Sequence, residues 1–337
     1  MTTSIDDLSA IHEILRQRAN APTSEEVGPC VATLNLLVFI DDADYREWVL
    51  ERAERMTEKH PSRLIVLDAT RDDGSADVST TRGDGCTVLS QRIMLDVGDI
   101  DPAVAASIAR DLLVSDTHTV LWWSSAAVAE SALLEALFPL VQTIVVDSSG
   151  PKREDAAVRE VANFLRAHPG AVLRDLAYMR LLPWQDMIAQ FFDDPALFHD
   201  LFSLRRLEIA AGSEAETVYL AGWLASRLSW HVGEGHTFIA RDGGTVTFAP
   251  SRSGERRRVM RVALGTGAST YAATLSDDPT VVCLSVEGAK AKPCWYTPLQ
   301  SVDTMSLVER ATMHQERDLI FEQTVETVCG LLDCASQ

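Results

Sequence analysis

The chain has 337 residues, 46% hydrophobic and 23% charged, so it can bury a substantial core and is expected to divide into two domains. A formal net charge of −19 argues against a nucleic-acid backbone or an anionic membrane surface as partner. No stretch approaches the ~20 apolar residues of a membrane span. The opening MTTSIDDLS lacks the basic start of an export signal, and the six cysteines therefore read as reduced thiols in the cytoplasm.

Ile5, Leu8, Ile11 and Leu15 keep helical spacing, which predicts a docked helix over Ile5 to Arg18. Asn20 to Pro29 reads as a linker, so residues 1–30 form an N-terminal helix and linker. VATLNLLVFI turns continuously apolar, as in a strand covered on both faces. Asp41-Asp42 then caps a helix that stops at His60-Pro61, and RLIVLDA gives the next strand. Ala76 to Ser79 and Cys86 to Val97 are expected as antiparallel strands with Gly83-Asp84-Gly85 between them. Helices over Pro102–Val114, Ala126–Leu137 and Arg153–His168 alternate with strands over His118–Ser124 and Gln142–Asp147. Such alternation implies parallel βαβ units, so residues 31–169 are expected to form a three-layer α/β domain with a mostly parallel sheet.

The pattern then changes. Arg174 to Phe192 reads as a kinked helix pair, with Pro183 breaking one helix and suiting the first turn of the next. A strand over Leu204–Ala211 precedes a helix from Ser213, where Ser213 and Glu216 fit a capping box. Strands follow over His236–Arg241, Thr245–Pro250, Arg257–Leu264, Thr270–Leu275, Val281–Val286 and Lys292–Tyr296. A helix over Ser301–Leu332, broken near Thr312, closes the chain. Residues 170–337 are thus expected to be an α+β domain with an antiparallel sheet.

Catalytic motifs are sparse. Gly265-Thr266-Gly267 lacks the third glycine and following helix of a dinucleotide fingerprint, and no phosphate loop, zinc-protease helix or nucleophile elbow occurs. No cofactor or metal is expected. Arg252, Arg256, Arg257, Arg258 and Arg261 form a basic cluster, read as a solvated strand edge rather than a docking patch. Asp41, Asp68, Trp123, Ser124, Asp147 and Ser148 fall just past strand C-termini, where parallel sheets usually bind ligands. Trp123, Ser124, Asp147 and Ser148 are the candidate ligand cleft. Each is also a common structural residue in such a position.

The run DLAYMRLLPW with the helix ending FFDDP resembles the glucose-6-phosphate dehydrogenase assembly proteins, the OpcA family. TLNLLVFIDD, HPSRLIVL, LWW, IVVDSS and YLAGWLASRLSW are similar to that family in the same order, from Thr33 to Trp230. Tyr178 and Gln185 depart from it, standing where Trp and Arg are usual. The resemblance implies a non-enzymatic, cytoplasmic effector that binds glucose-6-phosphate dehydrogenase and promotes its active oligomer. Arg174, Asp175, Tyr178, Arg180, Trp184 and Gln185 are the candidate contact face, since Arg and aromatics dominate interface hot spots. The alternatives are an enzyme or nucleotide-binding protein using the cleft, or a small-metabolite sensor that couples the cleft to the partner. Cyanobacterial members of the family are linked to thioredoxin control, which adds thioredoxin to the candidate partners. A two-residue turn at Gly288-Ala289 would set Cys283 directly opposite Cys294, within reach of a disulfide.

Overall fold

In the computed structural model the described residues are 2–4, 9–11, 13–14, 32–71, 75–82, 89–125, 128–129, 131–150, 156–253, 258–300 and 303–335. Most of the expected N-terminal helix, the linker, the Gly83-Asp84-Gly85 turn, and Arg256 and Arg257 lie outside them. Two compact units form. One holds Met1–Val146, Ala171–Arg174 and Val308–Glu316; the other holds Asp147–Gly170, Asp175–Leu307 and Arg317–Gln337.

The first unit is built on a mixed sheet. Its strands are β1 (Thr2–Ser4), β2 (Leu34–Ile40), β3 (Ser62–Asp68), β4 (Ser75–Arg82), β5 (Leu89–Asp96), β6 (Thr119–Trp123), β7 (Thr143–Val146) and β8 (Leu173–Asp175), in the order β1-β4-β5-β3-β2-β6-β7-β8. β2, β3, β5, β6 and β7 run parallel, whereas at one edge β4 pairs antiparallel with β5 and β1 pairs antiparallel with β4. All seven residues of β2 are buried: the unbroken apolar run 36–40 predicts this, and Asn35 is a buried polar residue within the strand. Helix α1 (Ala43–Lys59) starts where the Asp42 carboxylate accepts from Asp44 N–H at 3.0 Å. It buries Val49, Leu50, Ala53 and Met56, and it ends at His60 because Pro61 disfavours helical backbone before it. Helix α2 (Pro102–Leu112) begins on Asp101 and Pro102. Helix α3 (Ala132–Leu137) is shorter than the apolar pattern suggested, since Ser131 caps it there by accepting from Leu134 N–H at 3.2 Å. β1 and β8 are strands that sequence patterning missed, being too short to show a period.

The second unit has a sheet of β9 (Arg206–Ala211), β10 (His231–Val232), β11 (Thr237–Ile239), β12 (Thr245–Arg252), β13 (Val259–Gly265), β14 (Ser269–Leu275), β15 (Val281–Gly288) and β16 (Lys292–Pro298), ordered β10-β11-β12-β9-β13-β14-β15-β16. It is antiparallel except between β9 and β12. Its helices include α4 (Ala157–Ala167), α5 (Leu176–Met179), α6 (Leu182–Gln190), α7 (Pro195–Phe198) and α8 (Glu214–Leu228). The closing helix is broken as expected, into α9 (Thr304–Met313) and α10 (Leu319–Ala335). Helix α8 packs on β9 and β12, and α10 crosses α8 at Gly222, where a Cβ would come within 2.5 Å of the Val328 side chain.

Candidate functional site

The helix pair begins on Asp175, a buried carboxylate at the start of α5. It accepts from Ala177 N–H at 2.9 Å, Ser148 N–H at 3.0 Å and Tyr219 O–H at 2.7 Å, and from the Ser148 hydroxyl. One carboxylate thus ties together the loop after β7, the first turn of α5 and a tyrosine of α8. Burial nonetheless pushes its pKa upward, against the downward pull of the Ser148 and Tyr219 hydroxyls.

Beside it, Arg180 lies almost wholly buried at the C-cap of α5. Its guanidinium grips the Asp147 carboxylate through both terminal nitrogens and reaches Ser149 Oγ at 2.8 Å. Glu216, in the first turn of α8, stands 3.6 Å from Arg180 Nη1, an ion pair too long for a hydrogen bond. Glu216 is fully buried, and that desolvation raises its pKa while the Arg180 charge lowers it. The expected capping box is therefore absent: Ser213 makes no side-chain cap and Glu216 turns toward Arg180. An ion pair with a buried guanidinium outweighs a cap hydrogen bond, because a buried charge without a partner is far costlier.

Three other contact-face candidates are also interior. Tyr178 is 2% exposed, Trp184 3% and Gln185 7%. Tyr178 packs at 4.9 Å on Phe321 of α10 and edge-on to Tyr219 at 5.9 Å. Burial raises the Tyr178 phenol pKa, with Gln185 and Thr324 beside it. Arg174 belongs to the first unit, where its guanidinium donates to the backbone carbonyl of Glu316. The arrangement thus differs from an exposed docking face: Asp175, Tyr178, Arg180, Trp184 and Gln185 are framework. The missed members are Glu216 and Tyr219, whose spacing of three on one helix was the available signal.

The cleft candidates divide between the units. In the first, Trp123 is 1% exposed and stacks on Phe39 at 4.1 Å, while Trp122 meets Trp48 of α1 edge-on at 6.3 Å. As neighbours on one strand the two indoles take opposite faces, and protein packs against both. Ser124 donates its backbone N–H to Phe39 O, and Ser125 donates its hydroxyl to Asp41 at 2.5 Å. In the second unit Asp147 and Ser148 are engaged by Arg180 and Asp175.

The parallel strands lie side by side as β5-β3-β2-β6-β7, so strand order reverses between β2 and β6. That switch point is where a dinucleotide would sit, its pyrophosphate on a glycine-rich turn into the helix after β2. Here the turn reads Asp41-Asp42-Ala43-Asp44, and the Asp42 carboxylate already occupies the helix N-terminus. Asp68, at the end of β3, is buried, paired with Arg46 at 2.6 Å and bonded to Thr70. Three carboxylates at a would-be pyrophosphate site oppose such a ligand. Among the described residues no cluster of His, Cys, Asp and Glu suits a metal ion, and no helix is long and apolar enough to cross a membrane.

Cys283 and Cys294 are joined in a disulfide with Cα atoms 6.4 Å apart. They are not directly opposite: Cys283 faces Tyr296 and Leu284 faces Trp295. A longer loop over residues 289–291 and an extra residue on β16 between the Leu284–Trp295 and Val286–Lys292 pairs shift the register. Gly288 does not open a two-residue turn. With φ +97° it lies against β14, where a Cβ would meet Ala268 O at 2.2 Å. Pro293 sits on the edge strand, as a residue without an N–H must.

Two family models match the chain: the glucose-6-phosphate dehydrogenase subunit N-terminal domain over residues 53–163, and the C-terminal domain of the same subunit over residues 171–325. Similar curated proteins are those named for the OxPP cycle, OpcA, in cyanobacteria. The one from Nostoc punctiforme is 29% identical over 121 residues, 35% of this chain and 26% of that protein. The one from Synechococcus elongatus is 24% identical over 182 residues, 51% of this chain and 40% of that protein. The matched part therefore spans less than half the length of these relatives. Among solved structures, UDP-N-acetylglucosamine 3-dehydrogenase GnnA from Acidithiobacillus ferrooxidans aligns over 89% of this chain and 97% of its own at 9% identity and a TM-score of 0.45. Aldose-aldose oxidoreductase from Caulobacter crescentus aligns over 91% and 98% at 7% identity and a TM-score of 0.47. Likeness this loose has no bearing on activity.

Proposed function

The chain belongs to the OpcA family of glucose-6-phosphate dehydrogenase subunits, and from that membership we propose that it binds glucose-6-phosphate dehydrogenase and promotes its assembled, active form without turning over a substrate of its own. Through that partner it would support the oxidative pentose phosphate pathway. The observation that carries the reading is the pair of matches in the family's own order, covering residues 53–163 and 171–325. The acidic turn Asp41-Asp42-Ala43-Asp44 at the strand-order switch adds support, since it disfavours the nucleotide-binding alternative.

Such an effector works only by preferring one state of its partner, because a ligand shifts an equilibrium by its differential affinity and nothing else. Couplings of this kind are typically about 1–3 kcal/mol, roughly five- to 150-fold in affinity. The test is co-purification with glucose-6-phosphate dehydrogenase, followed by titration of the dehydrogenase against glucose 6-phosphate with and without this chain. Activation that saturates with added chain is expected. Absence of both binding and activation would overturn the proposal, as would turnover of a substrate by the isolated chain.

A further inference from the structure

Helix α8 begins without a side-chain cap. Ser213 holds the N-cap position with extended backbone, yet its hydroxyl makes no bond to the first turn. The residue is 8% exposed, and its Oγ is buried with no hydrogen-bond partner among the described residues. Helix N-termini present several amides that lack intrahelical acceptors and carry the positive end of the dipole. An orphaned hydroxyl beside such amides is costly in a folded chain unless something else satisfies it.

Ser213 lines a cavity of about 230 Å³ that lies wholly within the second unit. Val218, Phe248 and Leu331 give it an apolar wall, while Arg252 and Glu214 supply charge. Arg252 is exposed at the end of β12 and makes no ion pair among the described residues. An apolar cavity of roughly 150 Å³ already holds a benzene ring. This one has room for a ring or branched chain and a small charged group.

We propose that this cavity binds a small monocarboxylic acid, whose carboxylate caps α8 at Ser213 and the first-turn amides, with Arg252 at the rim and the apolar body against Val218, Phe248 and Leu331. Glu214 sets the charge of the ligand. A carboxylate on the same lining opposes a phosphate dianion more strongly than a single negative charge. The Ser213 O–H donates to the ligand, which satisfies the orphan and completes the cap.

The experiment is calorimetric titration of the full chain with 3-phenylpropionate, its uncharged amide 3-phenylpropanamide, and phenyl phosphate. The acid is expected to bind at least roughly tenfold more tightly than either of the others. Arg252→Gln and Ser213→Ala should each weaken acid binding several-fold. Ser213→Ala should leave the melting temperature of the free chain unchanged or raised, since it removes an unsatisfied hydroxyl. Equal binding of acid and amide would reduce the site to a greasy cavity and overturn the proposal. Tighter binding of phenyl phosphate would overturn the choice of group. No binding of any probe, or no response to both substitutions, would overturn the site itself.

Discussion

Arg180 stands among Asp147, Glu216 and Asp175, and its removal would leave buried carboxylates without their counter-ion. Arg180→Ala is therefore expected to cost about 3–5 kcal/mol of stability, the usual penalty for breaking a buried pair from one side. Chemical denaturation measures it. A loss of partner activation at unchanged stability would instead return Arg180 to a contact role. Glu216 gives a pH-dependent counterpart. Its folded pKa is raised from 4.5 by burial, so the folded state holds its proton more tightly than the unfolded chain. That contribution is fully present below the unfolded pKa and is lost as pH rises through the folded one. Glu216→Gln should flatten the fall in stability as the pH rises above 4.5. An unchanged slope would place the titration elsewhere, for instance at Asp175, which is raised by the same cause.

Helices α8 and α10 approach closely because Gly222 has no side chain. A Cβ there would lie 2.5 Å from Val328 Cγ2 and 3.0 Å from Thr324 O. Alanine is the better helix former by about 1 kcal/mol, but overpacking a tight crossing costs about 1–3 kcal/mol. Gly222→Ala should thus destabilise on balance, and a rise in melting temperature would show that α10 yields without strain. Contact with a partner is better sought beyond the buried pair. The segment after α6 exposes Phe198 (47%) and Phe202 (55%), whose rings lie 5.5 Å apart, flanked by the Asp200–Lys290 ion pair at 2.7 Å. Exposed neighbouring aromatics are favoured interface anchors. Phe198→Ser with Phe202→Ser should lower activation of glucose-6-phosphate dehydrogenase while leaving the melting temperature within error. Full activation by that variant would remove this surface from the docking site.

At the scale of the whole molecule, the Cys283–Cys294 link joins an edge strand to its neighbour and closes a short loop. If the chain activates the dehydrogenase as proposed and thioredoxin acts on this pair, reduction should change that activation, and Cys294→Ser should remove the sensitivity. Equal activation by the oxidised and reduced chains would leave the disulfide a purely structural link. A cofactor role is testable on the same material. Millimolar nicotinamide nucleotides should not shift the melting temperature, because Asp41, Asp42 and Asp44 stand where a pyrophosphate would have to lie.

Local chemistry made much of this architecture readable in the sequence. The apolar run of β2, the Asp42 cap and His60-Pro61 stop of α1, Pro183 at the start of α6, and the break after Thr312 each depend on neighbours a few residues away. The kinked pair was legible as a pair for the same reason. Which way its side chains face was not, since helical spacing alone does not tell an aromatic stripe on the core from one on a partner. That was decided by α8 and α10, whose Tyr219 and Phe321 enclose Tyr178. Glu216 left its expected cap because Arg180, 36 residues earlier in the sequence, offered a buried counter-charge. The cysteine register likewise turned on the contact of Gly288 with β14 and on an extra residue in β16. Local preferences involve one turn or one strand, whereas burial, charge pairing and register are settled by segments that meet only in the folded chain.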